Sequence, residues 1–145
     1  MPKTLTTNEL TVLGRVEILC DALEKDYEND SIRLHESSLR DEMHYSPYHE
    51  KALAEIENGT ANLNKFKSYE GRKYHKIIMR TACNADRNND QKSVHAFVDR
   101  KTGEVYKPAS WKGPAKHVRY DLRKIRDRQL LEVKCDWSGG YLYKV

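Results

Sequence analysis

A chain of 145 residues is long enough for one domain, but Ile, Leu, Val and Phe number only 29, one fifth of the total, so its core must be thin even with nine Tyr and two Trp to help fill it. No apolar run approaches the roughly 18 residues of a membrane span, and the start MPKTLTTNEL has neither the charged nor the apolar zone of a secretion signal, which predicts a cytoplasmic protein without membrane contact. The net charge of +4 hides a split: residues 1–60 carry six Lys/Arg against thirteen Asp/Glu (−7), and residues 61–145 carry twenty against nine (+11).

Thr6 followed by Glu9 forms a T-x-x-E capping box, and Leu10, Leu13, Val16, Cys20, Leu23 and Tyr27 then recur at spacings of three or four. This predicts an amphipathic helix of about five turns. Its stripe suits packing within the monomer and, being near-heptad, also suits a helix pair in a homodimer. Asn29–Asp30–Ser31 breaks the pattern, and Ile32, Leu34, Leu39 and Met43 predict a second helix. Ser46–Pro47 is an N-cap followed by Pro at the first helical position, and Asn58–Gly59 is a stop. The acidic half therefore reads as helical throughout.

Composition changes near Asn62. Lys73–Ala82 reads as a strand, Cys83–Lys92 as a polar loop, and Ser93–Asp99 as a strand with Val94, Ala96 and Val98 on one face and His95 and Phe97 on the other. Lys101–Thr102–Gly103 supplies a turn, Glu104–Tyr106 the return strand, and Pro108 its end, because proline cannot donate a ladder hydrogen bond. Residues 114–128 read as a short basic helix entered at Pro114. Gln129–Cys135 and Tyr141–Val145 read as a last hairpin closed by Ser138–Gly139–Gly140. The expected architecture is a single α+β domain, with N-terminal helices (1–60) packed on an antiparallel sheet of about four to five strands in the basic part (61–145).

Chemistry-bearing motifs are few. Cys20, Cys83 and Cys135 stand far apart in an odd number, so no disulfide framework or zinc knuckle is written. Asp86, Asn88 and Asp90 open like a calcium loop, but Gln91 stands where Gly is needed and Phe97 where the bidentate Glu belongs. His35, His44, His49, His75, His95 and His117 match no metalloenzyme pattern, although His75, His95 and Asp99 could meet in the sheet as a nuclease-like cluster. No P-loop, dinucleotide motif or nucleophile elbow is present, so neither cofactor nor catalysis is expected.

The clearest signal is positive. If residues 115–128 are helical, Lys116, Arg119, Arg123 and Arg126 share one face, and Lys107, Lys112, Trp111 and Tyr120 lie around them. Cations spaced along a helix suit phosphates, and interleaved aromatics suit stacked bases. These eight residues are the predicted nucleic-acid-binding set, single- and double-stranded partners being left open. A solvated face, or pairing with the acidic half, would produce the same pattern.

One block has a wider likeness. Phe97, Val98, Asp99, Thr102, Gly103, Val105, Tyr106, Lys107, Ser110, Trp111, Pro114, Ala115 and Lys116 spell F-V-D-x-x-T-G-x-V-Y-K-x-x-S-W-x-x-P-A-K, and the block from about 94 to 122 resembles small proteins of unassigned function encoded by tailed bacteriophages. The resemblance implies a phage-encoded, non-enzymatic protein acting in the host cell cytoplasm. Three roles follow from it. The first is binding nucleic acid. The second is modulating or inhibiting a host or phage protein, engaged through the acidic helical half. The third is serving as a minor virion component.

Overall fold

The computed structural model describes residues 6–41, 43, 45–81 and 91–143; Cys83, His44 and the Asp86–Asp90 run lie outside them. It is an α+β fold, as the sequence implies, with a five-stranded antiparallel sheet. In chain order the elements are α1 (Thr7–Arg40), α2 (Pro47–Asn58), β1 (Lys65–Glu70), β2 (Tyr74–Arg80), β3 (Lys92–Asp99), β4 (Glu104–Tyr106), β5 (Tyr120–Asp121) and α3 (Ile125–Lys134). The strands run β1-β2-β3-β4-β5, each beside its neighbour in sequence.

The hydroxyl caps predicted at Thr6 and Ser46 form, while the Glu9 carboxylate meets the Thr6 hydroxyl and Arg100. The Thr6 hydroxyl accepts from the Glu9 N–H at 3.1 Å, and the Ser46 hydroxyl accepts from the Tyr48 N–H. Gly59 adopts φ 75°, which closes α2 with the Thr60 N–H donating to the Glu55 carbonyl. The expected break at 29–31 does not occur: α1 is one helix of 34 residues. Its polar residues there have tertiary work. Asp26 accepts from the Trp137 N–H and Asp30 from the Trp137 indole N–H, both at 3.0 Å, and Tyr27 meets the indole edge-on. The buried stripe is also rotated from the expected one, running through Val12, Val16, Leu19, Cys20 and Leu23, while Leu10 is exposed.

One core draws on α1, the facing side of the sheet and the C-terminal segment, with Leu23, Ile77, Val98, Val105 and Leu142 essentially sealed from solvent. Strand β1, which the sequence reading did not assign, turns Phe66 into this core. A bulge between Ile77 and Ile78 corrects the expected facing of β3. Ile77 lies opposite Ala96 and Ile78 opposite Val94, so His95 is the extra residue. His95 therefore joins Ala96 and Val98 on the core side, where it meets Phe66 and Tyr141.

The Asp99–Gly103 turn explains its sequence. Asp99 Oδ1 accepts from the Lys101 and Thr102 N–H groups at 2.8 and 3.0 Å, and Gly103 adopts φ 76° where a Cβ would stand 3.3 Å from Leu122 Cβ. Beyond β4 two expectations are corrected. Residues 114–128 are not a helix: His117 has φ 75°, Tyr120–Asp121 are β5, and α3 begins only at Ile125. Residues 129–134 are helical instead of forming a hairpin strand, and Gly140–Leu142 make a 3-10 turn. Asp136 organises that turn by accepting from the Ser138, Gly140 and Tyr141 N–H groups.

Candidate functional site

Both α1 and α3 contribute to the core on one side of the sheet, and among the described residues no helix lines the groove on the other side. Strand register sets a transverse row on that outer side. Tyr69 of β1 stands opposite Lys76 of β2, Lys76 opposite Phe97 of β3, and Phe97 opposite Tyr106 of β4. Tyr74 packs edge-on against both Phe97 and Tyr106, with ring centroids 5.9 Å apart in each case. The Phe97 ring is buried beneath this layer, whereas Tyr69 is 45% exposed.

The loop after β4 folds over the row. Pro108 and Pro114 form an isolated antiparallel bridge, and the Ala109 and Ser110 N–H groups both donate to the Gly113 carbonyl. This tight loop carries Trp111 at its tip, 50% exposed. Lys76 Nζ lies 4.7 Å from the Trp111 ring centroid and 5.7 Å from that of Phe97. Similar cation–π contacts place Lys67 over Tyr69 and Lys73 over Tyr74.

Between the loop and the β1–β2 turn lies an open groove of about 440 Å³, whose cations are Arg72, Lys73, Lys76 and Lys112. Its carboxylate, Glu70, is already engaged with Arg100, which also holds Glu9 of α1 at 3.3 Å. The groove thus presents positive charge between flat aromatic surfaces. Tyr106 remains a neutral phenol, its pKa pushed up to about 12 by burial and by Glu104, whose carboxylate accepts a hydrogen bond from its hydroxyl.

Of the eight residues expected to bind nucleic acid, the structure brings Trp111 and Lys112 together in this groove. The shared helical face expected for Lys116, Arg119, Arg123 and Arg126 does not form. Lys107 stacks its ammonium 4.0 Å from the Tyr143 ring, and Lys116 is exposed in the irregular segment before β5. Arg119 donates to the Leu142 carbonyl at 2.8 Å. Tyr120 is buried and donates to the Tyr141 carbonyl. Arg123 is paired with Asp121 at 3.1 Å; burial pushes that carboxyl upward, but the hydrogen bonds and charge of Arg123 prevail and leave it below the usual range. Arg126 sits in the first turn of α3, whose Leu131 belongs to the core on the opposite side of the sheet.

Lys67, Tyr69, Arg72, Lys73, Tyr74 and Lys76 were not singled out by the sequence reading. Their signal was alternation: in KFKSYE and YHKIIM, Lys and Tyr recur at every second position. The imagined His75–His95–Asp99 cluster is not assembled. His75 and His95 face the core, while Asp99 caps its own turn beside Tyr74, on the other face. Among the described residues no group of three or more His, Cys, Asp or Glu could hold a metal ion, and no helix is long and apolar enough to cross a membrane.

No curated protein and no solved structure matches the chain. One family does, across nearly the whole length: residues 2–144 match its model, and the chain belongs to the family of unknown function DUF7717.

Proposed function

We propose that the protein is a non-enzymatic nucleic-acid-binding protein whose contact surface is the outer face of the sheet, extended by the Trp111 loop. The observation that carries this reading is the pair of exposed rings, Tyr69 and Trp111, beside Lys76 in the row Tyr69–Lys76–Phe97–Tyr106, because it sets open aromatic faces and an ammonium group side by side on the outer face of the sheet. Exposed aromatic faces on a sheet accept bases whose own faces are open, and each stacked base contributes about 1–3 kcal/mol. Bases in a duplex are already stacked on one another, so the preferred partner is single-stranded. Arg72, Lys73 and Lys112 around the groove supply the phosphate contacts. The likeness to tailed-phage proteins would place this activity in the cytoplasm of an infected cell.

The test is a titration with a single-stranded oligonucleotide and with its duplex, across a salt series, followed by tryptophan fluorescence and anisotropy. Binding through phosphates requires log K to fall with log salt, by about 0.7 per neutralised phosphate on a single strand. Trp111→Ala should weaken single-strand binding roughly tenfold, the equivalent of about 1.4 kcal/mol, while leaving the salt slope unchanged. Lys76→Ala together with Lys112→Ala should flatten the slope. Absence of binding to either strand form at low salt would sink the proposal, and an unaltered affinity in Trp111→Ala would move the contact away from this face.

A further inference from the structure

On the helix side of the molecule α1 and α3 enclose a second groove, of about 240 Å³, with Ile18, Leu19, Ala22 and Leu131 as its apolar wall. Its polar atoms are unusual for such a wall. Arg15 Nη1 and Arg128 Nη1 both donate to a single acceptor, the Leu122 carbonyl oxygen, at 2.7 and 2.8 Å. These two nitrogens therefore lie within about 5.5 Å of each other, the two bond lengths end to end. A carbonyl satisfies hydrogen bonds but carries no net charge. Neither guanidinium makes an ion pair among the described residues, and Glu132, which lines the same groove, pairs with neither. Both side chains are only part-exposed, so their mutual repulsion is less screened than at an open surface. Each guanidinium has five N–H donors in a planar fork, and the carbonyl uses one from each.

We infer that this groove is a docking site for a short peptide segment of a partner protein carrying an aliphatic side chain next to a carboxylate. The charge complement selects an acid, since one bidentate carboxylate placed against the two forks removes the repulsion that the carbonyl leaves in place. The wall selects an aliphatic neighbour, because Ile18 is 61% exposed in this state and gains most from being covered. The size selects a side-chain anchor over a whole cofactor: ligand pockets run from about 300 Å³ upward, and this groove is smaller and open along its length. The site lies across the core from the Tyr69–Trp111 face, so one molecule can hold peptide and nucleic acid together. The inference does not depend on the nucleic-acid reading.

The experiment selects random heptapeptides displayed on yeast against the immobilised full-length protein, then measures anisotropy with the enriched peptides. Enriched sequences should place Asp or Glu within one or two residues of Leu, Ile or Val. Replacing that acid by its amide should weaken binding at least tenfold, as should Arg128→Gln. Ile18→Glu changes an exposed position, leaves the fold intact, and should abolish binding, which keeps the test decisive even if Arg15→Gln or Arg128→Gln destabilises the protein. Failure to enrich any consensus would overturn the inference, as would a consensus lacking the acid–aliphatic pair or binding indifferent to Ile18→Glu. Binding of octanoate without binding of any peptide would equally overturn it, in favour of a small aliphatic anion.

Discussion

Lowering the pH from 7 to 5 probes the interior of this fold at one residue above all, His95. Its imidazole is 7% exposed, its Nε2 lies 2.7 Å from the Tyr141 hydroxyl, and Phe66 closes over it edge-on at 5.2 Å. Burial lowers its pKa from 6.5 to about 4, with Asp136 pulling weakly the other way. In the unfolded chain the same ring protonates near the ordinary value. Between the two pKa values the unfolded state therefore binds a proton that the folded state refuses, and stability falls as pH falls. Each unit of difference is worth about 1.4 kcal/mol, so the full window from 6.5 down to 4 removes about 3 kcal/mol, and about 2 of that is gone by pH 5. Against a total of about 5–15 kcal/mol for a domain, the loss is large. His75 and His35 are lowered mainly by burial too, so they add to the loss in the same direction. His95→Gln keeps a partner for the Tyr141 hydroxyl but cannot titrate. It should be less stable than wild type at pH 7, yet lose about 2 kcal/mol less between pH 7 and pH 5. Urea unfolding at half-unit pH steps reads both curves. Parallel curves for the two proteins would refute the assignment of this proton to His95.

Two further outcomes follow from the core. Gly103→Ala places a Cβ at φ 76°, 3.3 Å from Leu122 Cβ and 3.5 Å from Val12 Cγ2, and should cost about 1–2 kcal/mol from backbone strain alone, read as a thermal midpoint lowered by several degrees; an unchanged midpoint would contradict the left-handed backbone at this turn. Burial pushes the Cys20 thiol up to about 12 and the Cys135 thiol up to about 11. At pH 8 both should resist alkylation in the native protein and react once urea is added, as peptide mapping by mass spectrometry would show; rapid native labelling at either would mean an open core.

What was legible in the sequence was local. Thr6 with Glu9, Ser46 with Pro47, Gly59, and the Asp99–Gly103 turn each complete their structural role within about five residues, and each forms where its pattern falls. The break expected at Asn29–Ser31 failed because its warrant was propensity, a weak term that the docking of Trp137 onto Asp26 and Asp30 outweighs. The bulge opposite Ile77–Ile78 showed only as two adjacent Ile that blur the alternation of β2, too little to fix the facing of His95. Val118, Leu122 and Ile125 keep helical spacing, yet Val118 and Ile125 are exposed and only Leu122 is buried. Three apolar residues at the right intervals were too few to define a face.

The same limit explains why the basic run in the sequence and the groove on the sheet share only Trp111 and Lys112. Counting charge along the chain finds the densest run, Lys107–Arg128, but a run in sequence is a surface only if one element carries it. Here a left-handed His117 and the strand at Tyr120 divide it, and several of its cations are committed to structure: Arg119 to the Leu142 carbonyl, Arg123 to Asp121, Arg128 to the Leu122 carbonyl. The cations that face the groove come from Arg72, Lys73 and Lys76, and meet Trp111 and Lys112 only because four strands lie side by side. The Trp111 loop was the useful part of the linear signal, since Pro108 and Pro114 pin it wherever the sheet ends. A Lys67→Ala or Tyr69→Ala change on β1 should therefore affect nucleic-acid binding more than an Arg123→Ala change inside the basic run, and the reverse order would return the contact to the segment that the sequence alone selects.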